Sequence, residues 1–335
     1  MSQHGRAASQ QGIVVFTLGG TISMTGHQGG VVARLGGADL LAGLDGRAEA
    51  GRVEVRDLRA VPSADLSFGD ILDVTDAARA AVDGGARGVV VVQGTDTLEE
   101  TAFAAGLVWD RPEPLVLTGA MRNPTLAGPD GPANLLAAIQ VAAAGPARGR
   151  GALVVLNDEI HAARHVRKSH STSTGAFTSP DLGPVGRVTE GAARFTATVP
   201  APPPLTGLRR DLLAATRVAL YTVTLDDDGV LLAGLAATHQ GLVVAAFGAG
   251  HVPGALAPVL GELAAAMPVV LATRTGAGPV LAGTYGAPGS ERDLRARGLI
   301  GAGLLHPVKA RVLVRLLLAA GAGAGQVAAA FAEFG

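Results

Sequence analysis

One short stretch, Gly88 to Ala102, constrains the fold of this chain more than any other. It holds four consecutive valines bounded by Gly88 and Gly94, a run that is typical of a strand buried on both faces of a parallel sheet. Thr97-Leu98-Glu99-Glu100 follows, and a threonine three residues before a glutamate is the pattern of a capping box at a helix start. The stretch therefore predicts a strand followed by a helix.

Thr95 and Asp96 lie between this strand and this helix. In open α/β sheets, ligands bind at the carboxyl ends of parallel strands, so a hydroxyl and a carboxylate side by side here are candidates for chemistry. Helix capping is the competing interpretation. Thr97 matches the capping pattern better, because Glu100 stands three residues beyond it, and this leaves Thr95 and Asp96 for a functional role.

Polar residues follow two other predicted strands in the same way. The apolar run Gly12–Thr17 leads into Gly19-Gly20-Thr21, where two glycines permit a tight turn that presents a hydroxyl and backbone N–H groups. A strand at Val53–Val61 leads into Pro62-Ser63-Ala64-Asp65. The segment Gly26–Gly37 holds five glycines and is either a loop that closes over a site or a simple surface loop.

Helices and strands alternate along the rest of the chain. In the first part we predict a helix over 69–83, a strand over 114–118, a helix opening at Asp130, a strand over 152–157 and a polar segment over 158–175. In the second part we predict strands over 217–224, 241–246 and 269–273, and helices over 252–266, 306–320 and 326–334. His161 and His165 are four residues apart, but their segment is not clearly helical, so no metal site is expected.

The strongest boundary signal is the segment 200–204, with four prolines in five residues, which is typical of a semi-rigid linker. We therefore expect an N-terminal domain over 1–199, a linker over 200–210 and a C-terminal domain over 211–335. The predicted fold class is two α/β domains, the larger N-terminal one built on a parallel sheet.

Composition excludes several classes of function. With 48% hydrophobic and 16% charged residues, the chain is expected to be globular and soluble. A net charge of −1 and the lack of a basic block argue against nucleic acid as a partner. No uninterrupted apolar run of membrane-spanning length and no export signal are found, so we expect a cytoplasmic protein. The absence of cysteine excludes thiol catalysis and disulfides.

The use of lysine points to one residue. Only Lys168 and Lys309 are lysines among the 27 basic residues. Arginine stays protonated in proteins whereas lysine can lose its proton, so a retained lysine is a candidate for proton transfer. Chance is the alternative, and two occurrences leave it open.

Several collinear motifs resemble the bacterial L-asparaginase/glutaminase family of threonine amidohydrolases, from about Gly12 to Phe331. The two signatures are Thr17-Leu18-Gly19-Gly20-Thr21-Ile22 and Gln93-Gly94-Thr95-Asp96-Thr97-Leu98-Glu99-Glu100-Thr101. Further matches are Thr118-Gly119-Ala120-Met121-Arg122, Asp130-Gly131-Pro132-Ala133-Asn134-Leu135, Val154-Val155-Leu156-Asn157-Asp158 and Pro307-Val308-Lys309-Ala310-Arg311-Val312-Leu313. The resemblance implies two domains and a homotetramer of intimate dimers with active sites between subunits.

The resemblance also implies the site and the reaction. Thr21 corresponds to the nucleophile, Thr95, Asp96 and Lys168 to a second triad, and Ser63 with Asp65 to the segment that holds the α-carboxylate and α-amine of the substrate. Gly20 and Gly94 flank the two hydroxyls. Hydrolysis of L-asparagine, or L-glutamine, needs such a set: an attacking hydroxyl, a base, oxyanion donors and fixed charges for the head groups. No cofactor or metal is expected.

The chain departs from the family pattern at four places. Gln93 stands where a histidine is common, and the loop tyrosine that activates the first nucleophile falls near Gly30, in a loop with no tyrosine. Gly248-Ala249-Gly250-His251 replaces an asparagine-bearing turn, and the region of Tyr285 replaces a glutamate. We therefore predict that Tyr285 supplies the missing function to a neighbouring subunit, with interface packing as an equal alternative. A bound water, or a residue of the Gly26–Gly37 loop such as His27, is the other source.

Two rival functions remain at this point. One is a non-catalytic or weakly active amino-acid-binding homologue that has lost the activating tyrosine. The other is the asparaginase-like subunit of a complex that acts on misacylated tRNA, which would need an added domain and a basic face, and the sequence indicates neither.

Overall fold

A computed structural model describes residues 12–20, 24–25, 32–33 and 52–334 of the chain. Its contacts divide the protein into two compact units, Met1–Ala201 and Pro202–Gly335. Each unit is a parallel or mostly parallel sheet packed against helices. The prediction of two α/β domains, the first one larger, is confirmed.

The first unit is built on an eight-stranded sheet. Its strands are β1 (Ile13–Thr17), β4 (Val53–Asp57), β5 (Gly88–Val92), β6 (Leu115–Thr118), β7 (Ala152–Leu156), β8 (Glu159–Ala162), β11 (Gly186–Thr189) and β12 (Ala192–Phe195). Outside this sheet lie two short ribbons, β2 (Met24–Thr25) with β3 (Val32–Ala33), and β9 (Arg167–Lys168) with β10 (Phe177–Thr178). The strand order is β4-β1-β5-β6-β7-β8-β11-β12.

The sheet is parallel from β4 to β7 and antiparallel from β7 to β12. All five residues of β1 and of β5 are buried, as expected of strands covered on both faces. The antiparallel half falls partly in the segment 158–175, for which the sequence predicted only polar chain. That segment contains β8 and β9. β8 forms because Asn157 and Asp158 take left-handed conformations (φ 53° and 59°) and turn the chain back along β7.

Three helices connect the parallel strands: α1 (Phe68–Asp83), α2 (Leu98–Val108) and α3 (Gly131–Ala143). Ser67 caps α1 in a capping box, in which its side chain accepts from Asp70 N and Asp70 in turn accepts from Ser67 N. Pro132 lies in the first turn of α3, where its missing N–H costs no helical hydrogen bond. The core between α3 and the sheet is made of buried aliphatic side chains.

The second unit has a four-stranded parallel sheet, in the order β13 (Val218–Thr222), β14 (Gly241–Ala246), β15 (Val269–Thr273) and β16 (Ile300–Gly301). Its helices are α4 (Arg210–Ala215), α5 (Leu256–Ala266), α6 (Glu291–Ala296), α7 (Pro307–Ala319) and α8 (Ala324–Phe334). Every residue of β14 and β15 is buried.

Two predicted boundaries differ from the structure more than the others do, and each difference has a local cause. The strand expected to run from Val53 to Val61 ends at Asp57, because Leu58 N and Arg59 N both donate to Thr17 O and turn the chain out of the ladder. The helix expected from Val252 begins at Leu256. Val252 N instead donates to Gly289 O, and the following Pro253 disfavours a helical conformation for Val252.

Candidate active site

The carboxyl ends of three adjacent strands lead into turns that carry Gly20, Ser63, Asp65, Gly94, Thr95 and Asp96. β1 lies between β4 and β5 and is parallel to both. The turn with Gly20 follows β1, the turn with Ser63 and Asp65 follows β4, and the loop with Gly94, Thr95 and Asp96 follows β5. The chain crosses from β4 on one side of β1 to β5 on the other, and such a switch point is where open α/β sheets bind ligands.

Glycines let these turns pack backbone against backbone. A Cβ on Gly20, whose φ is 98°, would lie 2.1 Å from Gly94 N. A Cβ on Gly94 would lie 2.7 Å from Ser63 Oγ. Gly20 requires glycine, because the overlap is with backbone and its φ is positive, whereas a side chain on Gly94 would displace the Ser63 hydroxyl.

Lys168 joins Thr95 and Asp96 into one cluster. Its Nζ lies 2.9 Å from Thr95 Oγ1 and 2.7 Å from Asp96 Oδ1, and it donates to both. The side chain of Lys168 is 15% exposed and Thr95 is 5% exposed, whereas the carboxylate of Asp96 is 72% exposed. A hydroxyl and an amine are thus held at a partly desolvated position, with a carboxylate at the solvent side that can neutralise the ammonium.

A short ribbon carries Lys168 to this position. Lys168 in β9 is paired with Phe177 in β10, and Ser169 N donates to Ala176 O at 2.7 Å, which closes the ribbon. Ser179 follows β10, and its Oγ lies 3.0 Å from Nδ1 of the fully buried His161 in β8. His161 therefore ties the ribbon to the main sheet.

Ser63 is attached to the Thr95–Asp96 loop at two points. Its Oγ accepts from Asp96 N at 3.2 Å and its carbonyl accepts from Thr97 Oγ1 at 2.9 Å. Ser63 is buried, with 3% exposure, while Asp65 at the end of the same 3-10 turn is exposed. Ser63 is thus bonded directly to the loop that holds Thr95 and Asp96, and Asp65 belongs to the same 3-10 turn as Ser63.

The capping prediction for Thr97 was half wrong. Thr97 is the N-cap residue of α2, but its side chain makes no capping hydrogen bond. Its hydroxyl donates to the carbonyl of Ser63 instead. Glu99 and Glu100 lie in the first turn, where their charges are favourable at the positive end of the helix dipole.

Asn134 supports the same sheet edge, and sequence reasoning missed it. Its Nδ2 donates to Gly119 O at 3.0 Å and to Asp130 Oδ2 at 3.1 Å, and its Oδ1 accepts from Asn157 N at 2.9 Å. Asn134 thereby joins the loops after β6 and β7 to the start of α3. The i, i+4 spacing of Asp130 and Asn134 was the available signal, since both side chains then face one side of a helix.

Several predicted functional residues lie outside the described part of the chain. These are Thr21 and, in the Gly26–Gly37 loop, every residue except Val32 and Ala33 of β3, so that Gly30 and His27 are among them. Gly20 is the last described residue before Thr21.

Tyr285 belongs to the second unit and lies in a well-anchored loop. The carboxylate of Glu291 accepts from Thr284 N at 2.7 Å and from Tyr285 N at 2.6 Å, and lies 3.2 Å from His251 Nε2. The His251 ring packs edge to face on the Tyr285 ring at 4.8 Å. The Tyr285 side chain is half exposed.

Glu291 is an unusual group, because its side chain is completely buried. Burial raises the pKa of a carboxylate, but the N–H groups of Tyr285, Glu291 itself and Thr284, together with His251, outweigh it, so the pKa of Glu291 is lowered. Glu291 is therefore ionised in the folded protein and fixes the backbone around Tyr285.

Within the described ranges, no group of three or more His, Cys, Asp or Glu side chains is arranged to hold a metal ion. A search of the same residues for helices long and apolar enough to cross a membrane gave none.

Comparisons with known proteins agree with these features. Residues 12–201 match the family model described as “Asparaginase, N-terminal”, and residues 217–331 match “Glutaminase/Asparaginase C-terminal domain”. A probable L-asparaginase of Deinococcus radiodurans is 40% identical over 250 residues, 75% of this chain and 76% of that protein. An L-asparaginase of Bacillus licheniformis is 30% identical over 312 residues, 92% of this chain and 95% of that protein. The crystal structure of a probable cytoplasmic L-asparaginase from Campylobacter jejuni superposes with a TM-score of 0.83 at 28% identity, covering 96% of this chain and 99% of that chain.

Proposed function

The chain belongs to the asparaginase family, and on this premise we propose that it hydrolyses L-asparagine to L-aspartate and ammonia. One observation carries the proposal. The Lys168 amine is within hydrogen-bonding distance of both Thr95 Oγ1 and Asp96 Oδ1, at the edge of the sheet where α/β enzymes bind ligands.

The hydrolysis needs a hydroxyl that is relieved of its proton. We assign Thr21 as the nucleophile whose oxygen bonds to the amide carbon, and Thr95 with Lys168 as the proton-accepting pair. As Thr21 attacks, its proton passes to Thr95 Oγ1, the proton of the Thr95 hydroxyl passes to the Lys168 amine, and Asp96 stabilises the ammonium that forms. The Lys168 ammonium returns this proton through Thr95 to the amide nitrogen as the C–N bond breaks, and ammonia leaves. Water then adds its hydroxyl to the acyl carbon of the threonine ester and returns a proton to Thr21, which releases L-aspartate.

Recognition of the amino-acid head group falls to the turns around this pair. Because Ser63 Oγ accepts from Asp96 N, its own hydrogen remains for donation to a substrate carboxylate. Asp65, in the turn after β4, and Asp96, in the loop after β5, are exposed carboxylates. Both are suited to bind the α-ammonium of the substrate. Gly20 and Gly94 leave their backbones open to close approach by the substrate.

Tyr285 is assigned to the site of a neighbouring subunit. The support is that its backbone is fixed by Glu291 while half of its side chain is exposed. A phenol with an unperturbed pKa of about 10 passes a proton when a nearby cation stabilises its phenolate.

Tyr285→Phe tests this role, because it keeps the ring and removes only the hydroxyl. We expect kcat to fall about 10-fold or more, with the elution volume of the assembly unchanged in size-exclusion chromatography. An unchanged kcat in an intact assembly would leave Tyr285 as packing, and the activator would then be sought in a bound water or His27.

The proposal extends to assembly and location. We assign a homo-oligomer, a dimer or tetramer with active sites between subunits, and a cytoplasmic location. The Campylobacter jejuni relative is described as cytoplasmic, whereas a Haemophilus influenzae relative is described as periplasmic. Sedimentation velocity and cell fractionation test these two assignments.

The direct test of the reaction is product formation by the purified wild-type protein. We expect one aspartate and one ammonia for each L-asparagine consumed, and the same assay with L-glutamine gives the substrate preference. Tight binding of L-asparagine without ammonia release would favour the non-catalytic binding homologue instead.

A further inference from the structure

Thr97 holds a position that its sequence context does not explain. It is the N-cap residue of α2, and threonine at this position normally accepts a hydrogen bond from a backbone N–H of the first helical turn. Here the side chain makes no capping bond. The hydroxyl donates to the carbonyl oxygen of Ser63, 34 residues away in sequence, at 2.9 Å.

The bond closes a connection between two loops at the site. Asp96 N donates to Ser63 Oγ at 3.2 Å, and Thr97 Oγ1 donates to Ser63 O. Ser63 O also accepts from Leu66 N at 3.3 Å, within the 3-10 turn that ends at Asp65. The turn after β4 is thus attached to the loop after β5 through the hydroxyl and the carbonyl of Ser63.

The two attachments differ in what they fix. The bond from Asp96 N uses the hydroxyl of Ser63, a group that also faces the ligand under the proposed function. The bond from Thr97 fixes only the backbone of Ser63, so it sets where the turn lies without using the ligand-binding group. Ser63 is 3% exposed, and without the Thr97 hydroxyl its carbonyl keeps only the longer bond from Leu66 N, which lies within the turn itself and does not hold the turn to the loop after β5.

From this geometry we propose that Thr97 is a positioning residue, whose hydroxyl sets the distance between the head-group turn of Ser63 and Asp65 and the Thr95–Asp96 loop. The inference rests on the proposed function, since the effect is read out through the amino-acid substrate. Thr97 touches neither the substrate nor the reacting atoms, and its loss affects binding of the head group more than chemistry at the amide.

The test compares two substitutions at Thr97. Thr97→Val keeps the branched shape and removes the donor, and we expect KM for L-asparagine to rise about 5- to 10-fold, as follows from one lost part-buried hydrogen bond. We expect kcat to change less than about threefold, since Lys168 and Thr95 keep their contact. Thr97→Ser retains the hydroxyl, and we expect it to restore KM to within about threefold of wild type. Thr97→Ala repeats the deletion if the valine variant does not fold.

Thr75→Val is the matched control. Thr75 is buried in α1 and donates to Ile71 O at 2.7 Å, so the same chemical change removes one hydroxyl-to-carbonyl bond away from the site. We expect its KM to equal that of wild type. The Kd of L-aspartate, measured by calorimetry on each variant, reads out head-group binding without turnover.

The outcomes separate the two claims. A wild-type protein that releases no ammonia would contradict the proposed function. An active wild type together with Thr97→Val of unchanged KM and Kd would overturn the positioning role. A loss in Thr97→Ser equal to that in Thr97→Val, or an equal loss in Thr75→Val, would also overturn it, because the effect would then not follow the hydroxyl at this position.

Discussion

The amine of Lys168 connects the hydroxyl and the carboxylate of the candidate site. Lys168 Nζ donates to the buried hydroxyl of Thr95 and to the exposed carboxylate of Asp96. This arrangement lets one group receive a proton on the buried side while its charge is balanced on the solvent side. Since arginine cannot release its proton in proteins, the proposed chemistry depends on a lysine at this position.

Lys168→Arg separates chemistry from electrostatics. The variant keeps the positive charge and much of the length, but it does not accept a proton, so we expect kcat to fall about 10²–10⁴-fold, nearly as far as in Lys168→Met. The steady-state kcat of both purified variants with L-asparagine is the measurement. Recovery of most of the rate by arginine would reduce Lys168 to an electrostatic anchor and place the base elsewhere.

The sequence identified Lys168 and Thr95 by different signals. Lys168 stood out because lysine is rare in this chain, and Thr95 because it follows a buried strand. Their roles stay predictions, but the structure places the two side chains 2.9 Å apart. The partner of Thr97 was not predictable, because local sequence does not reveal that the carbonyl of Ser63 lies beside the start of α2.

At the scale of elements, the contact between the β1 and β5 loops sets the site. Gly20 and Gly94 meet backbone to backbone where a side chain would overlap the neighbouring main chain. The turn after β1 is therefore held next to Thr95, and Gly20 directly precedes Thr21 in the chain.

Gly20→Ala should damage the site through a steric clash of the new Cβ with the backbone of Gly94, in addition to backbone strain. Gly85 is a matched control, since its φ is 100° but a Cβ there would meet nothing within 4 Å. Both alanine variants carry roughly 1–2 kcal/mol of left-handed strain. Only Gly20→Ala adds a clash with Gly94 N, so we expect a lower Tm than in Gly85→Ala and loss of most activity. Equal Tm and equal activity in the two variants would contradict this account.

The parallel strands were predictable and the antiparallel half of the first sheet was not. Continuous apolar runs such as that of β5 indicate buried parallel strands. β8 contains Glu159 and His161, whose polarity hides the strand in the sequence. His161 is nevertheless buried against Ser179, because polar groups are tolerated in a core when they are hydrogen-bonded.

At the scale of the whole molecule, each unit has its own hydrophobic core, and the second unit also has a buried carboxylate that anchors a loop. In the second unit the anchor is Glu291, with a pKa below its usual value of 4.5. A carboxylate of lowered pKa contributes stability above the unfolded-state pKa, and this contribution is lost as the pH falls through the folded-state pKa. The second unit should therefore lose stability in the acid range below about pH 4.5.

Glu291→Gln tests this dependence by thermal unfolding as a function of pH. We expect the variant to have a lower Tm than wild type at pH 7, and the difference to shrink as the pH falls below 4.5, because wild type then loses the same charge. Glu262→Gln, on the exposed side of α5, is the control and should leave Tm unchanged at pH 7. A Tm difference for Glu291→Gln that stays constant across this range would show that the charge of Glu291 does not contribute to the stability.

The domain limits remain a prediction of the sequence. The two compact units meet between Ala201 and Pro202, and we keep 200–210 as the proposed linker. The homo-oligomer likewise stays a prediction. It comes from the family resemblance and not from patterns in this sequence, because an interface is set by surfaces that both partners contribute.

The central claim is that the Thr95 hydroxyl, paired with Lys168, is required for hydrolysis of L-asparagine. The measurement that tests it most directly is the kcat of Thr95→Val beside that of Thr95→Ser, by ammonia release at saturating substrate. The account predicts a fall of about 10³-fold or more in Thr95→Val with an unchanged Tm, and substantial activity in Thr95→Ser, which keeps the hydroxyl. Turnover by Thr95→Val close to that of wild type would contradict it.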